Sequence, residues 1–159
     1  MFDYIIIGGG SAGCLLANRL SENPNYKVCL IEAGPPDKSH FIHNCNPVNM
    51  LYLMKSKIYN WGYYAEGNNK TGKRRFFWPR GRTLGGSSAV NAMIYSRGHK
   101  SDFDTWAKLG CKGWDFKSVL PYFKKSERQQ RGADKYHGVT GTMDVVDTTH
   151  HFPVSEAFI

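Results

Sequence analysis

The sequence contains no long apolar run, and we expect no N-terminal leader. No stretch of about 18 consecutive apolar residues occurs among the 159 residues, so no membrane-spanning helix is predicted. Met1 leads directly into an apolar segment, without a basic leader or a small-residue cleavage site of the secretory type. We therefore expect a cytoplasmic protein, and peripheral attachment to the inner membrane stays open.

Cysteine and histidine do not occur in metal-binding patterns. The four cysteines are widely spaced and form no CxxC pair, so we expect buried or incidental thiols, with metal or redox use a remote alternative. His150 and His151 are adjacent but lack cysteine or carboxylate partners at ligand spacing, and we expect them at the surface. The sequence thus predicts no metal site.

Acidic residues are in deficit, with 13 against 21 Lys and Arg and a net charge of +8. Such an excess fits nucleic acid, but it also fits solvated faces and attraction for a phosphorylated ligand. The basic residues of segment 70–82 alternate with Phe76, Phe77 and Trp78, a pattern suited to single-stranded nucleic acid. The rest of the chain points elsewhere, so we expect no nucleic-acid partner.

The first third of the chain begins with a dinucleotide-binding pattern. An apolar, β-branched run is followed by GxGxxG, a segment with helical spacing, a second short apolar run and an acidic residue. Its parts are the buried strand Tyr4–Ile7, Gly8, Gly10, Gly13, the strand Lys27–Ile31 and Glu32. The order predicts a βαβ unit of a doubly wound α/β fold.

Each part of this pattern has a physical reason. Gly8 permits a tight exit from the strand, Gly10 lets the backbone approach a pyrophosphate, and Gly13 lets helix and strand pack closely. The helix N-terminus would offer free N–H groups to the phosphates. Glu32 would accept hydrogen bonds from an adenosine ribose and repel a 2′-phosphate, which disfavours NADP. The pattern alone leaves FAD and NAD open.

The rest of the chain alternates predicted helices with short strands. We expect apolar positions at helical spacing, including Phe103, Trp106 and Tyr122, to be core. In order, we predict a helix at Pro47–Lys57, a hairpin of strands near Gly62–Glu66 and Arg74–Trp78, a helix capped by Ser101 or Asp102 and ended by Gly110, a helix capped by Asp115 and interrupted near Pro121, a turn and strand within 135–145, and the start of a helix at Val154–Ile159. Because that helix is unfinished, we expect a chain that is cut.

The stretch 81–98, GRTLGGSSAVNAMIYSRG, identifies a family. It resembles the first signature of the glucose–methanol–choline (GMC) flavoprotein oxidoreductases, especially the choline dehydrogenase and bacterial primary-alcohol dehydrogenase branch. The matching positions are Gly81, Arg82, Leu84, Gly85, Gly86, Ser87, Ser88, Val90, Asn91, Tyr95, Gly98 and Asp104. Similarity continues through NWGYYAE, WPRG, RGHKSDFDTWAKLG, GWDFKSVLPYFKKSE and YHGVTGTMDV, so it spans essentially the whole chain.

The resemblance implies an α/β fold with a Rossmann-like FAD-binding βαβ unit, a flavin-contacting helix, and peripheral helices with a hairpin. Residues 1–159 would be the truncated N-terminal part of the FAD-binding domain, without the C-terminal catalytic and substrate region and inactive alone. The implied activity is FAD-dependent oxidation of a choline-like or primary alcohol, with a quinone or another carrier as electron acceptor. The implied cofactor-binding residues are Gly8, Gly10, Ser11, Ala12, Gly13, Glu32, Ala33, Arg82, Leu84, Gly86, Ser87, Asn91, Ala92, Met93 and Ile94.

The glycine-rich stretch then has a structural interpretation. Gly85 and Gly86 would let the chain turn against the cofactor, and Ser87 and Ser88 would cap a helix with Asn91 on the same face. By resemblance, the segment from Asn91 to Ile94 runs beside the isoalloxazine ring. Some family members attach FAD through a histidine at the position of Val90, so we expect non-covalent FAD here.

The resemblance assigns no catalytic residue to this chain. The family's base is a histidine in the C-terminal part of a longer chain, and none of the six histidines here, His99 included, lies in that motif. A nicotinamide-dependent domain and a non-catalytic module built on the basic aromatic segment remain the alternatives.

Overall fold

A computed structural model describes residues 1–44, 46–148 and 152–158, which form two compact units, Met1–Ile94 and Tyr95–Ile159. The predictions for Cys45, His150 and His151 fall outside the described residues. Among the described residues, the first unit combines helices with two two-stranded sheets, and the second combines helices with one. The α/β class predicted from the sequence is therefore confirmed.

The first unit begins with the predicted βαβ arrangement. Strand β1 (Tyr4–Ile7) leads through the glycine loop into helix α1 (Ser11–Leu20), and strand β2 (Val28–Ile31) pairs with β1 in parallel. The expectation that β1 is a buried strand is wrong for the described residues, since Ile5 is 60% and Ile7 is 87% exposed. Within this unit β1 packs mainly against β2 and α1, which leaves these side chains uncovered.

Two helices and a hairpin complete the first unit. Helix α2 (His40–His43) packs on helix α3 (Pro47–Lys55), which ends two residues before the predicted end. The side chain of Asn46 caps α3 by accepting a hydrogen bond from the N–H of Asn49 at 2.9 Å. Strands β3 (Tyr63–Ala65) and β4 (Phe76–Trp78) form the predicted antiparallel hairpin, with shorter strands than expected.

The helix expected from Ser87 to Asn91 is absent from the described structure. A single 3-10 turn spans Gly86–Ala89, and neither Ser87 nor Ser88 is its N-cap, because Gly85 occupies that position. The backbone N–H of Met93 donates to Asn91 Oδ1 at 2.8 Å, and Met93 adopts a left-handed φ of 57°. The turn has already ended at Val90, and this local side-chain bond offers the following backbone an alternative to helical hydrogen bonds.

The second unit contains helices α4 (Lys100–Lys108) and α5 (Phe116–Ser126), the parallel strands β5 (Glu127–Gln129) and β6 (Met143–Val145), and helix α6 (Pro153–Phe158). The predicted cap of α4 is wrong, because His99 is the N-cap and Asp102 completes a capping box from inside the helix. Asp115 caps α5 as predicted, but the expected interruption at Pro121 is wrong, because the helix continues through this residue to Ser126.

The aromatic residues predicted as core differ in how far they are buried. Phe103 is buried and packs edge to face on Phe123, with ring centroids 5.5 Å apart. Tyr122, however, is 73% exposed and Trp106 is 46% exposed. Helical spacing identified the apolar face but not how much of it is covered.

Candidate functional site

The glycine loop between β1 and α1 is held by close backbone contacts. A Cβ atom added at Gly13 would lie 1.9 Å from the carbonyl oxygen of Gly8, so only glycine permits this packing. A Cβ added at Gly10 would instead meet no atom within 4 Å. The two glycines therefore differ: position 13 is closed by the protein's own backbone, and position 10 faces open space.

Glu32 follows β2 and ties the glycine loop to the segment after the strand. Its Oε2 accepts a hydrogen bond from the N–H of Gly9 at 2.6 Å, and its Oε1 accepts from the N–H of Gly34 at 2.8 Å. Each carboxylate oxygen has a further lone pair, so these bonds leave acceptor capacity for a ligand hydroxyl. Glu32 thus positions the loop as well as offering an acceptor.

The second glycine pair, Gly85 and Gly86, contacts the first glycine loop directly. The N–H of Gly85 donates to the carbonyl of Gly9 at 2.7 Å. Gly86 has a left-handed φ of 56°, and a Cβ there would lie 2.8 Å from the Cα of Gly10. Both the conformation and the close approach require glycine.

Serine hydroxyls reinforce this contact. The hydroxyl of Ser11 donates to Ser88 Oγ at 3.0 Å, and Ser88 in turn donates to the carbonyl of Gly85 at 2.6 Å. The hydroxyl of Ser87 accepts a hydrogen bond from the N–H of Gly81 at 3.1 Å. Of the two residues expected to cap a helix, Ser88 therefore joins the two glycine segments instead, and Ser87 bonds to the start of its own stretch.

A cavity of about 1080 Å³, here called the first cavity, opens beside these glycine segments. No side chain caps the N-terminus of α1, which faces it through Ser11 and its neighbours. Nine of the sequence-predicted residues line the first cavity: Gly8, Gly10, Ser11, Ala12, Gly13, Glu32, Ala33, Gly86 and Ser87. Its volume and the uncapped helix end suit a large, anionic ligand.

Sequence reasoning missed four side chains that line the first cavity, Trp61, Tyr63, Trp78 and Arg80. The rings of Trp61 and Tyr63 stack with centroids 5.8 Å apart and planes 6° from parallel, and the Arg80 guanidinium lies 5.3 Å from the Trp78 ring centroid. The signal for Trp78 and Arg80 was the alternation of basic and aromatic residues in segment 70–82, which we interpreted as a pattern suited to single-stranded nucleic acid. All three rings are at least 44% exposed, so they are not core within this unit.

Arg82 and Leu84 are not among the described residues that line the first cavity. Arg82 donates from Nη2 to the carbonyl of Lys57 at 2.9 Å and from Nε to that of Ile58 at 3.1 Å. Leu84 lies behind the glycine loop, with its Cδ1 3.1 Å from a Cβ placed at Gly9. Arg82 therefore binds the backbone of Lys57 and Ile58, and Leu84 packs against the glycine loop.

A smaller cavity of about 300 Å³, the second cavity, lies between α2, α3 and the segment after the 3-10 turn. Among the predicted residues, Asn91, Ala92 and Met93 line it, whereas Ile94 is 82% exposed and lines neither cavity. The remaining described lining residues are Phe41, Ile42, Asn44, Asn46, Met50, Leu53, Ala89 and Val90. The sequence-predicted residues are therefore divided between two neighbouring cavities.

The second unit contains a buried charge that the sequence did not single out. Glu127 is fully buried; its Oε1 accepts from the N–H of Gly138 at 2.7 Å, and its Oε2 lies 2.8 Å from Nη2 of Arg97. Burial acts to raise the pKa of Glu127, but hydrogen bonds from Gly138, Tyr95 and Arg97 outweigh it and hold the pKa below its ordinary value. Glu127 is thus an ionised anchor of this unit.

Within the ranges that the structure covers, no helix is long and apolar enough to cross a membrane. The same residues contain no group of three or more His, Cys, Asp or Glu side chains that could hold a metal ion.

Two parallel strands joined by a helix, with a glycine loop at one end and an acidic residue after the second strand, define a dinucleotide-binding α/β unit. Comparison with known families narrows this class. The family described as GMC oxidoreductase matches residues 2–159. The chain belongs to the GMC oxidoreductase family.

The curated relatives are named alcohol and choline dehydrogenases. An alcohol dehydrogenase (acceptor) from Pseudomonas putida is 46% identical over 160 residues, covering 100% of this chain and 29% of the relative. A mitochondrial choline dehydrogenase from Mus musculus is 39% identical over 168 residues, covering 99% of this chain and 27% of the relative. The chain thus spans less than a third of the length of these relatives.

Solved structures show the same relationship. A pyridoxine 4-oxidase from Mesorbium loti superposes with a TM-score of 0.86 at 40% identity, covering 99% of this chain and 31% of that protein. An FAD-dependent oxidoreductase from Chaetomium thermophilum superposes with a TM-score of 0.77 at 31% identity, covering 98% of this chain and 28% of that protein. The fold of this chain is therefore that of an N-terminal region of GMC oxidoreductases.

Proposed function

We propose that this chain binds FAD non-covalently, with the adenosine diphosphate part in the first cavity, and is the cofactor-binding part of an enzyme that oxidises an alcohol. The observation that carries the proposal is the meeting of two glycine segments beside an uncapped helix N-terminus, at the wall of a cavity of about 1080 Å³. An extended dinucleotide needs such close backbone approach along its pyrophosphate.

The residues present fit the adenosine diphosphate part of FAD. The open space at Gly10 would admit the pyrophosphate, and the N–H groups at the start of α1, at Ser11, Ala12 and Gly13, would donate to its oxygens. Glu32 would accept from the adenosine ribose through its remaining lone pairs. Arg80, which also lines the first cavity, would add positive charge near the phosphates.

The segment from Asn91 to Ile94 would run beside the isoalloxazine ring, as the family resemblance implies. The carboxamide oxygen of Asn91 and the left-handed conformation of Met93 fix the course of this backbone. Bound flavin supplies hydride acceptance from the carbon that bears the alcohol hydroxyl. The side chain of Val90 has no nucleophilic atom, which supports non-covalent binding.

Residues 1–159 would form the N-terminal part of the FAD-binding domain, because they match the corresponding third of longer relatives. The proton acceptor, the rest of the substrate site and the contact with a quinone or other electron carrier would come from the region that these relatives have beyond the match. The substrate is a small alcohol. A nicotinamide cofactor is the alternative, supported only by the glycine fingerprint.

The absorbance spectrum of the chain after FAD addition and gel filtration tests the proposal. We expect flavin to coelute with the wild type and not with Gly10→Val, because the valine side chain would occupy the open space at this position. Flavin lost from both proteins, or retained by both, would contradict the proposed site. NADH protecting the wild type against heat better than FAD would favour the nicotinamide alternative.

A further inference from the structure

Three successive carbonyl groups shortly before Trp61 accept hydrogen bonds from one residue, Arg82. Its Nη2 donates to the carbonyl of Lys57 at 2.9 Å, its Nε to that of Ile58 at 3.1 Å, and its backbone N–H to that of Tyr59 at 2.8 Å. The planar guanidinium holds two of these donors in a fixed fork, and its charge strengthens both bonds. One residue therefore sets the course of the backbone that leads to Trp61.

The backbone of Trp61 is itself paired with the segment 80–82. The N–H of Trp61 donates to the carbonyl of Arg80 at 3.0 Å. Asn60 is buried, and its Oδ1 accepts from the N–H of Gly62 at 2.8 Å and from that of Arg80 at 3.3 Å. Because these bonds fix the residues on both sides of Trp61, a shift of this backbone would carry the indole ring with it.

The indole ring of Trp61 is available to a ligand in the first cavity. It lines this cavity, is 44% exposed, and stacks in parallel on the ring of Tyr63. The Arg82 guanidinium lies 5.6 Å from the centroid of the Trp61 ring, within the range of a cation–π contact. Arg82 thus contacts both the backbone before Trp61 and the ring itself.

Arg80 and Arg82 are two residues apart but have different surroundings. Arg80 lines the first cavity, where its charge faces the space proposed for the phosphates. Arg82 directs Nε and Nη2 at protein carbonyl oxygens. A contribution of Arg82 to cofactor binding would therefore depend on the geometry of its fork and not on its charge alone.

We propose that Arg82 is a positioning residue, which holds Trp61 in the wall of the first cavity so that the indole ring contacts bound FAD. This inference rests on the proposed function, since it assigns a role within the same cofactor site. Lysine keeps the charge but cannot place two donors in a fixed fork. Arg82→Lys should therefore release the ring and weaken FAD binding about as much as removal of the ring does.

A double-mutant cycle on the Kd of FAD tests whether Arg82 acts through Trp61. We expect Trp61→Ala and Arg82→Lys each to raise the Kd about 10-fold, as for the loss of one aromatic stacking contact, and the double variant to raise it about 10-fold as well. Independent contact of both residues with the cofactor predicts about 100-fold for the double variant. That result, or a wild-type Kd in Arg82→Lys, would overturn the proposal.

Fluorine NMR reports on Trp61 in the absence of flavin. The four tryptophans are labelled as 5-fluorotryptophan, and the Trp61 signal is the one missing from Trp61→Phe. We expect Arg82→Lys to move the Trp61 signal of the flavin-free chain and to leave those of Trp78, Trp106 and Trp114 in place. An equal displacement of the Trp78 signal would mean that Arg82 supports the hairpin as a whole, and would overturn its specific role.

Arg75→Lys is the matched control. Arg75 directly precedes β4 on the same hairpin, its guanidinium lies 4.8 Å from the Tyr64 ring centroid, and its side chain is 61% exposed. This variant should leave the Kd of FAD and the Trp61 signal unchanged. Equal effects of the two arginine-to-lysine substitutions would overturn the assignment to Arg82.

The outcomes separate this inference from the function on which it rests. FAD retained by the wild type, together with an unmoved Trp61 signal in Arg82→Lys, would overturn the inference alone. A wild-type chain that retains no FAD would refute the proposed function, and the role of Arg82 in cofactor binding with it. A moved Trp61 signal in that case would still support the contact between Arg82 and the backbone before the ring.

Discussion

Alanine substitutions at Gly10 and Gly13 should have opposite effects on stability. At Gly13, helix propensity favours alanine by about 1 kcal/mol, but its Cβ would lie 1.9 Å from the Gly8 carbonyl oxygen, and forced overpacking costs up to about 3 kcal/mol. We expect a net loss of about 2 kcal/mol. At Gly10, with φ of −78° and free space, we expect a gain of up to about 0.5 kcal/mol through the unfolded chain.

FAD binding should reverse the order of stability of Gly10→Ala and the wild type. Without FAD we expect the variant to be slightly more stable, and with FAD the wild type. FAD at about 100 times its Kd would raise the wild-type free energy of unfolding by about 2.7 kcal/mol. Gly10→Ala should gain much less, because its methyl group occupies space needed by the pyrophosphate. Urea unfolding followed by circular dichroism, with and without FAD, measures both quantities.

Two results would refute this reasoning. If Gly13→Ala is as stable as the wild type, the backbone contact between positions 13 and 8 is not as close as described. A full FAD-dependent gain in Gly10→Ala would mean that the cofactor does not approach the chain at this glycine. Ala133→Gly, an exposed change outside the cavities, controls for general effects of alanine and glycine exchange.

Three further predictions concern Glu32, Glu127 and Val90. Glu32→Gln leaves one acceptor oxygen for two backbone N–H groups. It should therefore lower the free energy of unfolding by about 1–2 kcal/mol and weaken FAD binding. The exposed substitution Glu22→Gln should do neither in the same urea titrations. Glu127→Gln removes the partner of a buried guanidinium and should lower stability by about 3 kcal/mol in chemical denaturation. Because the folded pKa of Glu127 is lowered from 4.5, its contribution should be complete above pH 4.5 and lost as the pH falls through the folded value; the variant should show a flatter pH dependence. With valine at position 90, acid precipitation of the flavin-loaded chain should leave all flavin in the supernatant.

Each of these predictions has a contradicting result. Equal losses in the two glutamate-to-glutamine variants, at positions 32 and 22, would exclude a specific role for Glu32. A Glu127 variant as acid-sensitive as the wild type would show that other carboxylates, such as Asp104 or Asp115, set the pH dependence. Flavin in the acid pellet would show covalent attachment elsewhere in the chain.

The glycine loop, Glu32 and the parallel strand pair could be predicted from the sequence because they form one local pattern. Strand, glycines, helix and acidic residue follow one another within about 30 residues, and each has a geometric reason for its residue type. The hairpin followed similarly from turn residues between aromatic runs. Local signals of this kind need no knowledge of distant contacts.

Other features depend on contacts that local patterns do not encode. Trp61 and Trp78 line the first cavity only because the hairpin returns the chain to the glycine loop. The helix expected after Ser87 is a single turn that ends at Val90, and the Asn91 side chain then binds the backbone two residues on, which spacing alone did not show. Glu127 lies among lysines, arginine and glutamines, and such a polar segment predicts an exposed side chain. Its burial could therefore not be predicted from the neighbouring residues.

The bond between Ser11 and Ser88 joins residues 77 positions apart and bears on the order of events during folding. At synthesis rates of 5–20 residues per second, the second serine leaves the ribosome roughly 4–15 s after the first. The glycine loop must wait through that interval with its apolar strand exposed. Capture of the proposed flavin should therefore follow the synthesis of residue 88, because one of the two glycine segments is missing before that point.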